Sequence, residues 1–277
     1  MREGWIALIL LAILQGATEF LPISSSGHLI LAHAVLEVPA PALLFDIVLH
    51  VGTLAAVVLV YRRDIAALLL GLWRGLAGAL RRQPGAMATP EMQMVGYLLV
   101  GTFATAVIGF LLKDYVESVL RGPRVVGIML LINGGILWAS RYRCRWLCRG
   151  RPTTGVDLPR ALLIGVLQGL AVTPGISRSG TTITGALVSG VEGEAAARFS
   201  FLLSIPAILG ALALHLGEVD NLSGLSWWPL LLSAGIAGVV GYFCVLALVR
   251  VLRGRIFYRF SWYCWGLGAV AIVWSLI

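Results

Sequence analysis

Two polar stretches interrupt an otherwise apolar sequence and decide how it folds. Residues 15–28 read QGATEFLPISSSGH, and residues 168–181 read QGLAVTPGISRSGT. Placed at an offset of 153, residues 14–28 and 167–181 are identical at seven of fifteen positions, where ordinary residue frequencies give roughly one. We interpret the two stretches as equivalent loops of an internal repeat that together form one functional site.

The composition around these loops is that of a membrane protein. Hydrophobic residues make up 59% of the 277 residues and charged residues 12%, with a mean hydropathy of +0.92. A soluble domain is nearer to about a quarter charged, and several apolar runs here approach the ~20 residues that cross a bilayer. We therefore predict an all-α polytopic membrane protein rather than a soluble domain with a large core.

The charged and cysteine residues exclude other classes of protein. The net charge is +8, but 20 of the 21 basic residues are Arg, and they cluster between apolar runs as they do in cytoplasmic loops. No nucleic-acid partner is therefore predicted. Cys144 and Cys148 lie in a basic stretch, and Cys244 and Cys264 lie in apolar runs. This spacing matches neither a disulfide framework nor a zinc site.

Each half of the chain is predicted to contain one re-entrant hairpin and three membrane spans, within a single membrane domain. The first apolar helix breaks at Ser24–Gly27 and its counterpart breaks at Pro174–Gly180. Such breaks survive at membrane depth only where protein or a wet cavity surrounds them. The six spans are predicted at residues 41–61, 94–112, 125–140, 195–216, 227–249 and 260–277, and the basic stretch 62–82 is predicted to be a loop.

Three spans per half place the two halves in opposite orientations. We therefore predict two inverted repeats, 1–140 and 157–277, joined by a basic cytoplasmic loop at 141–156. In such folds the binding site lies near the membrane midplane, where the repeats meet. The two hairpin tips should accordingly enter from opposite sides and contact each other.

Glu19 and Arg178 are ionisable residues that this topology places inside the membrane, where such groups are costly and usually functional or paired. The Arg178 guanidinium matches the geometry of a phosphate. Hydroxyl groups and the N–H groups at helix starts would complete a phosphate site; these residues are Ser24, Ser26, Gly27, Ser177, Ser179, Gly180, Thr181 and Thr182. The alternative is a Glu19–Arg178 ion pair that only holds the repeats together.

The first loop also contains candidates for nucleophilic and acid–base chemistry. Residues 24–26 are three serines, any of which could be a nucleophile. His28 follows closely enough to act as a base or as an acid for the leaving group. Gln15 and Glu19 are four residues apart and share a helical face. Asp46 and His50, on the next apolar run, are predicted to contact the catalytic side chains rather than the substrate.

These motifs resemble the two signature motifs of the bacterial undecaprenyl-diphosphate phosphatases of the bacitracin-resistance type. Residues 45–53, FDIVLHVGT, and 201–206, FLLSIP, also resemble stretches of that family, so the likeness covers nearly the whole chain. The resemblance implies hydrolysis of undecaprenyl diphosphate to the monophosphate and phosphate. This reaction recycles the lipid carrier of peptidoglycan synthesis and confers bacitracin resistance. The resemblance further implies a site in the bacterial plasma (inner) membrane that opens to the extracytoplasmic side.

The resemblance also implies roles for individual residues. Ser25 takes the nucleophile position, His28 is its partner, and Arg178 is the phosphate-binding arginine. Gln15 and Glu19 take the acidic motif, and the family's divalent cation, Mg²⁺ or Ca²⁺, would lie beside them. Gln15 stands where the family often has Glu, which removes one negative charge from a cation site.

Other functions and the oligomeric state stay open at this point. Inverted repeats with broken helices are common in transporters, so a lipid-phosphate transporter or flippase is the alternative function. A scaffold subunit is a third reading, which two matched polar loops within apolar sequence disfavour. The sequence does not give the oligomeric state and leaves a homodimer open.

Overall fold

The regular structure of the protein is helical, as the all-α prediction requires. The computed structural model describes residues 2–36, 42–119, 122–142, 153–216 and 227–276. Within these ranges the extended structure is one isolated bridge between Thr153 and Val191. The helices are α1 (Arg2–Phe20), α2 (Ser25–His33), α3 (Ala42–Val60), α4 (Arg62–Leu80), α5 (Pro90–Val119), α6 (Pro123–Ala139), α7 (Leu158–Leu170), α8 (Arg178–Val188), α9 (Gly193–Leu216), α10 (Trp227–Arg253) and α11 (Phe260–Trp274).

Several of these helices suit a bilayer, so the chain is a multi-pass membrane protein. Among the described residues, α5, α9 and α10 are long and apolar enough to cross a membrane. Helices α3 and α4 together give a fourth candidate, which is bent by 77° at the junction between them. Helices α1, α6 and α7 are also apolar but shorter.

The two sequence motifs form the tips of two helical hairpins, α1–α2 and α7–α8. Both breaks lie slightly earlier in the chain than predicted, because each returning helix begins with a serine cap. The Ser24 hydroxyl accepts a hydrogen bond from the Gly27 N–H at 3.2 Å, and the Ser177 hydroxyl accepts one from the Gly180 N–H at 3.0 Å. A serine at this position satisfies a backbone donor that the helix itself leaves unpaired. Part of the serine-rich motif therefore encodes the helix start.

Each hairpin packs against a helix from the other half of the chain. Helix α1 lies along α10, and α7 lies along α5. Glycines permit the close contact: a Cβ on Gly16 would lie 2.6 Å from the Ala237 carbonyl oxygen, and one on Gly165 would lie 2.4 Å from that of Gly101. Helices α3 and α10 and helices α6 and α11 form the other long contacts. The bundle is thus interlocked around the hairpins.

The prediction of a loop at residues 62–82 was wrong. Residues 62–80 form α4, and the turn begins only at Arg81. Clustered arginines often mark a loop, but here they are spaced so that the apolar residues between them keep a helical period.

Some predicted features lie outside the described residues. Most of the basic connecting loop does, including Cys144 and Cys148.

Candidate active site

Glu19 is the residue at which the two hairpins meet. Its side chain is 3% exposed, and its Oε1 forms an ion pair with Nη2 of Arg178 at the start of α8. Its Oε2 accepts hydrogen bonds from Ser25 Oγ at 2.6 Å and from Gln15 Nε2 at 3.0 Å. One carboxylate therefore connects the predicted nucleophile of the first hairpin to the predicted phosphate ligand of the second.

Arg178 keeps donors free for a substrate. Its side chain is 23% exposed, and within the described ranges Glu19 is its only hydrogen-bonding or ionic partner. A guanidinium carries five N–H donors in a fixed fork. The Glu19–Arg178 ion pair of the structural alternative is present, but it leaves most of the guanidinium able to bind an anion.

His50 approaches the same carboxylate from α3. Its Nε2 lies 3.6 Å from Glu19 Oε2, and its Nδ1 lies 2.7 Å from the carbonyl oxygen of Asp46. Because a carbonyl oxygen can only accept, Nδ1 carries a proton. Nε2 therefore faces the carboxylate oxygen to which Ser25 donates. The Asp46 carboxylate points elsewhere, with Oδ1 3.1 Å from Nε2 of His33.

His28 faces away from Ser25. Its Nδ1 lies 2.7 Å from the Ser24 carbonyl oxygen, and its Nε2 lies 2.8 Å from Tyr263 Oη. The two rings are stacked with centroids 5.7 Å apart. Both nitrogens of His28 therefore have partners that hold the start of α2 in place, and neither partner is Ser25 or Glu19.

The other predicted phosphate ligands surround this centre, and they differ in whether their hydrogen-bonding groups already have partners. The N–H groups of Gly27 and Gly180 are used by the serine caps. Ser26 Oγ and Ser179 Oγ lie beside those caps, at 3.4 Å from Ser24 Oγ and 3.2 Å from Ser177 Oγ respectively.

The two threonines of α8 lie in different surroundings. The Thr182 hydroxyl donates to the Arg178 carbonyl oxygen at 2.8 Å and contacts the Ser200 hydroxyl. It therefore braces the first turn of α8 against α9. The Thr181 hydroxyl is buried and has no hydrogen-bond partner within the described residues.

Asn133 on α6 contacts both hairpin tips and was missed by the sequence analysis. Its Nδ2 donates to the Pro22 carbonyl oxygen at 3.0 Å, and its Oδ1 accepts from the Ser177 N–H at 2.9 Å. The residue is fully buried. An amide within an apolar span is a signal that could have identified it, since polar residues in spans usually bind other helices.

Tyr263 on α11 was also missed. It lies among aromatic residues that favour an interfacial interpretation, so no sequence feature distinguished it. The structure places its hydroxyl on His28, and α11 thereby contributes to the first hairpin.

Comparison with known proteins identifies the family. A family model described as Bacitracin resistance protein BacA matches residues 8–270. The chain belongs to the BacA family. Its relatives include the undecaprenyl-diphosphatase of Desulforapulum autotrophicum, with 42% identity over 268 residues and 96% of each chain covered. The enzyme of the same name from Chromohalobacter salexigens is 42% identical over 271 residues, with 98% of each chain covered.

A third relative shows a similar degree of identity. The undecaprenyl-diphosphatase of Korarchaeum cryptofilum is 41% identical over 261 residues, which cover 92% of this chain and 94% of the relative. The resemblance inferred from the two motifs is thus confirmed at the level of the family.

Proposed function

We propose that the protein hydrolyses undecaprenyl diphosphate to undecaprenyl phosphate and inorganic phosphate. The contact of Ser25 and Arg178 through Glu19 carries this proposal, because it places a nucleophile beside a phosphate ligand. Membership of the BacA family, and relatives named undecaprenyl-diphosphatase, support the substrate. The product is the carrier lipid of peptidoglycan synthesis. Hydrolysis of the diphosphate opposes bacitracin, because bacitracin sequesters the diphosphate form.

Arg178 binds the terminal phosphate in this proposal. One of its nitrogens stays on Glu19 while the remaining N–H groups bind two phosphate oxygens. The positive charge then stabilises the negative charge that develops on those oxygens in the transition state. The isoprenoid chain lies among the apolar helices, and the diphosphate reaches the hairpin tips.

Ser25 attacks the terminal phosphorus. The bond from Oγ to phosphorus forms while the bond from phosphorus to the bridging oxygen breaks, and undecaprenyl phosphate leaves with that oxygen. The hydroxyl proton passes to Glu19 Oε2, which already accepts it at 2.6 Å. A water molecule then attacks the phosphoserine. A bond from its oxygen to phosphorus forms, the Oγ–phosphorus bond breaks, a proton of the water passes to Oγ, and inorganic phosphate leaves while Glu19 releases the proton it had taken. Direct attack by a water molecule that Ser25 orients is the competing route.

The two histidines have different parts in this mechanism. His50 Nε2 faces Glu19 Oε2, so His50 holds the carboxylate toward Ser25 and shares its proton. His28, fixed by Ser24 and Tyr263, positions the turn that carries Ser25. This departs from the sequence-based prediction that His28 itself transfers the proton.

A divalent cation remains a prediction from the resemblance. Within the described residues no group of three His, Cys, Asp or Glu side chains could hold a metal ion. The Gln15 Oε1 atom is a buried acceptor next to Glu19, and it has no hydrogen-bond partner among the residues that the structure describes. Gln15 and Glu19 would therefore fit a cation whose other ligands are diphosphate oxygens and water. Such a cation would neutralise charge on the diphosphate.

We also propose that the chain consists of two inverted repeats with six spans in the plasma membrane, and that the site opens to the extracytoplasmic side. The reciprocal packing of α1 on α10 and of α7 on α5 supports the repeat. The equivalent caps Ser24 and Ser177 support it as well. Sidedness rests on the distribution of arginines between the apolar helices.

The test is phosphate release by the purified protein from a long-chain polyprenyl diphosphate, with and without a chelator. Arg178→Ala and Ser25→Ala are each expected to lower kcat by about a hundredfold or more. Arg250→Ala and Ser118→Ala are matched controls on exposed positions away from the hairpins and should leave kcat unchanged.

The outcomes separate the competing functions and routes. Phosphoserine trapped at Ser25 after an acid quench supports covalent catalysis, whereas a Ser25→Ala variant with most of the wild-type kcat supports direct attack by water. No release by folded wild-type protein would overturn the hydrolase and favour the lipid-phosphate transporter, which needs Arg178 but not Ser25.

A further inference from the structure

Helix α4 has one face fixed to the protein. Gly71, Gly75 and Gly78 lie on that face, and a Cβ at each would come within 2.4 to 2.7 Å of a neighbouring side chain. The neighbours are Glu91 and Met92 at the start of α5 and Ala86 in the turn before it. The close contact sets the rotation of α4 about its axis, and therefore which residues face outward.

An apolar stripe runs along the outward side of α4. Leu69, Trp73, Leu76 and Leu80 follow one another at intervals of four, three and four residues, which places them in one row. They are between 47% and 87% exposed. Trp73 alone is 71% exposed, and tryptophan is typical of the boundary between lipid and water.

A row of arginines accompanies this stripe. Arg63, Arg74 and Arg81 are separated by eleven and seven residues, so they share a line roughly a third of a turn from the apolar stripe. All three are exposed, and no hydrogen bond or ion pair involves their guanidinium groups within the described part of the chain. Asp64, the acidic residue of α4, instead pairs with Arg198 of α9. The row is therefore positive and uncompensated.

The direction of α4 places these two rows at a membrane surface. Its axis is bent by 77° from that of α3, and α3 packs along α10, which is long enough to cross a membrane. A helix nearly perpendicular to the spans lies near the membrane plane. There an apolar stripe contacts acyl chains while an adjacent basic row reaches the headgroups.

We propose that α4 is a binding surface for anionic phospholipids. The stripe Leu69, Trp73, Leu76 and Leu80 contacts the acyl chains, and the guanidinium groups of Arg63, Arg74 and Arg81 bind headgroup phosphates. Uncompensated positive charge selects an anionic lipid over a zwitterionic one. Because α4 continues from α3, the bound lipid also anchors the helix that carries His50.

Lipid binding to the full-length protein in detergent tests this proposal. Native mass spectrometry would compare phosphatidylglycerol with phosphatidylcholine of the same chain length. The wild type is expected to prefer phosphatidylglycerol by at least about fivefold, the effect of one basic residue near an anionic surface. The triple variant Arg63→Gln/Arg74→Gln/Arg81→Gln should lose that preference.

A matched triple variant separates a specific surface from net charge. Arg250→Gln/Arg255→Gln/Arg259→Gln removes the same charge from exposed positions near the end of α10 and the start of α11, and it should keep the preference. No preference in the wild type, or an equal loss in both triple variants, would overturn the proposal. If the α4 triple variant does not fold, Arg74→Gln alone gives the same test, with a partial loss expected and an unchanged preference refuting the proposal.

Discussion

The substitution Asn133→Leu tests whether one amide holds the two hairpin tips together. Asn133 is buried on α6 and bonds the Pro22 carbonyl oxygen on one tip and the Ser177 N–H on the other. Leucine has a similar size and is common in apolar helices. The change therefore removes both hydrogen bonds with little effect on volume.

The cost follows from what the two backbone groups lose. The Pro22 carbonyl oxygen keeps a long contact with Cys264 Sγ at 3.8 Å, whereas the Ser177 N–H is left unpaired. An unpaired buried donor costs about 1–3 kcal/mol, and a second lost hydrogen bond adds about 1 kcal/mol. We expect a total loss of roughly 2–4 kcal/mol, which the protein can relieve by moving the tips apart. Displacement of Ser25 relative to Arg178 by about 1 Å can lower kcat about a hundredfold.

The assay is steady-state phosphate release together with thermal unfolding in detergent. Asn133→Leu should lower kcat more than it raises KM and should lower the unfolding temperature. Cys264→Ala is the control, because it removes a thiol that accepts from Asn133 Nδ2 at 3.3 Å and donates weakly to the Pro22 carbonyl oxygen but does not reach the second tip. Its kcat should stay near that of the wild type. A normal kcat in folded Asn133→Leu would refute the idea that this amide sets the distance between the loops.

Three further substitutions test the contacts that hold the site and the hairpins in place. His50→Ala should lower kcat at least about tenfold, whereas His50→Gln should retain more activity because its amide can still donate to Glu19. Steady-state kinetics at a single pH would measure both. Equal losses of kcat in the two variants would contradict a role of His50 through Glu19. Tyr263→Phe removes one hydrogen bond to His28 and should lower the stability by about 1 kcal/mol and kcat several-fold. An unchanged unfolding temperature would argue against that bond. Gly165→Ala should destabilise the protein by about 1–3 kcal/mol, since its Cβ would lie 2.4 Å from a carbonyl oxygen of α5. The same change at Gly109, which has open space around it, should be tolerated. Equal unfolding temperatures of the two variants would be inconsistent with this packing.

The repeated motif made the hairpins predictable, because identical residues at a fixed offset imply similar local structure in both places. It also led to the contact of Glu19 with Arg178, since two polar loops inside an apolar protein lower their cost by pairing. Asn133 and Tyr263 lie on other helices with no motif around them, so only the packing of α6 and α11 brings them to the tips. Proximity in sequence likewise does not determine which way a side chain points, and the His28 ring points away from Ser25 toward Tyr263.

The structure also shows why a motif that occurs twice gives one site rather than two. At the offset of 153, Ser25 corresponds to Arg178 and Glu19 corresponds to Val172. Val172 is 46% exposed, whereas Glu19 is 6% exposed. The equivalent backbone positions thus face different surroundings, and a carboxylate at position 172 would lie on the outside of the bundle.

The single carboxylate follows from charge as well as from geometry. One Glu and one Arg at the tips neutralise each other within the bundle, whereas a second carboxylate would need a second cation or would repel the phosphate. The repeated motif therefore supplies the frame, in which Ser25 and Arg178 begin corresponding helices on either side of one carboxylate. The chemistry comes from the positions where the two loops differ.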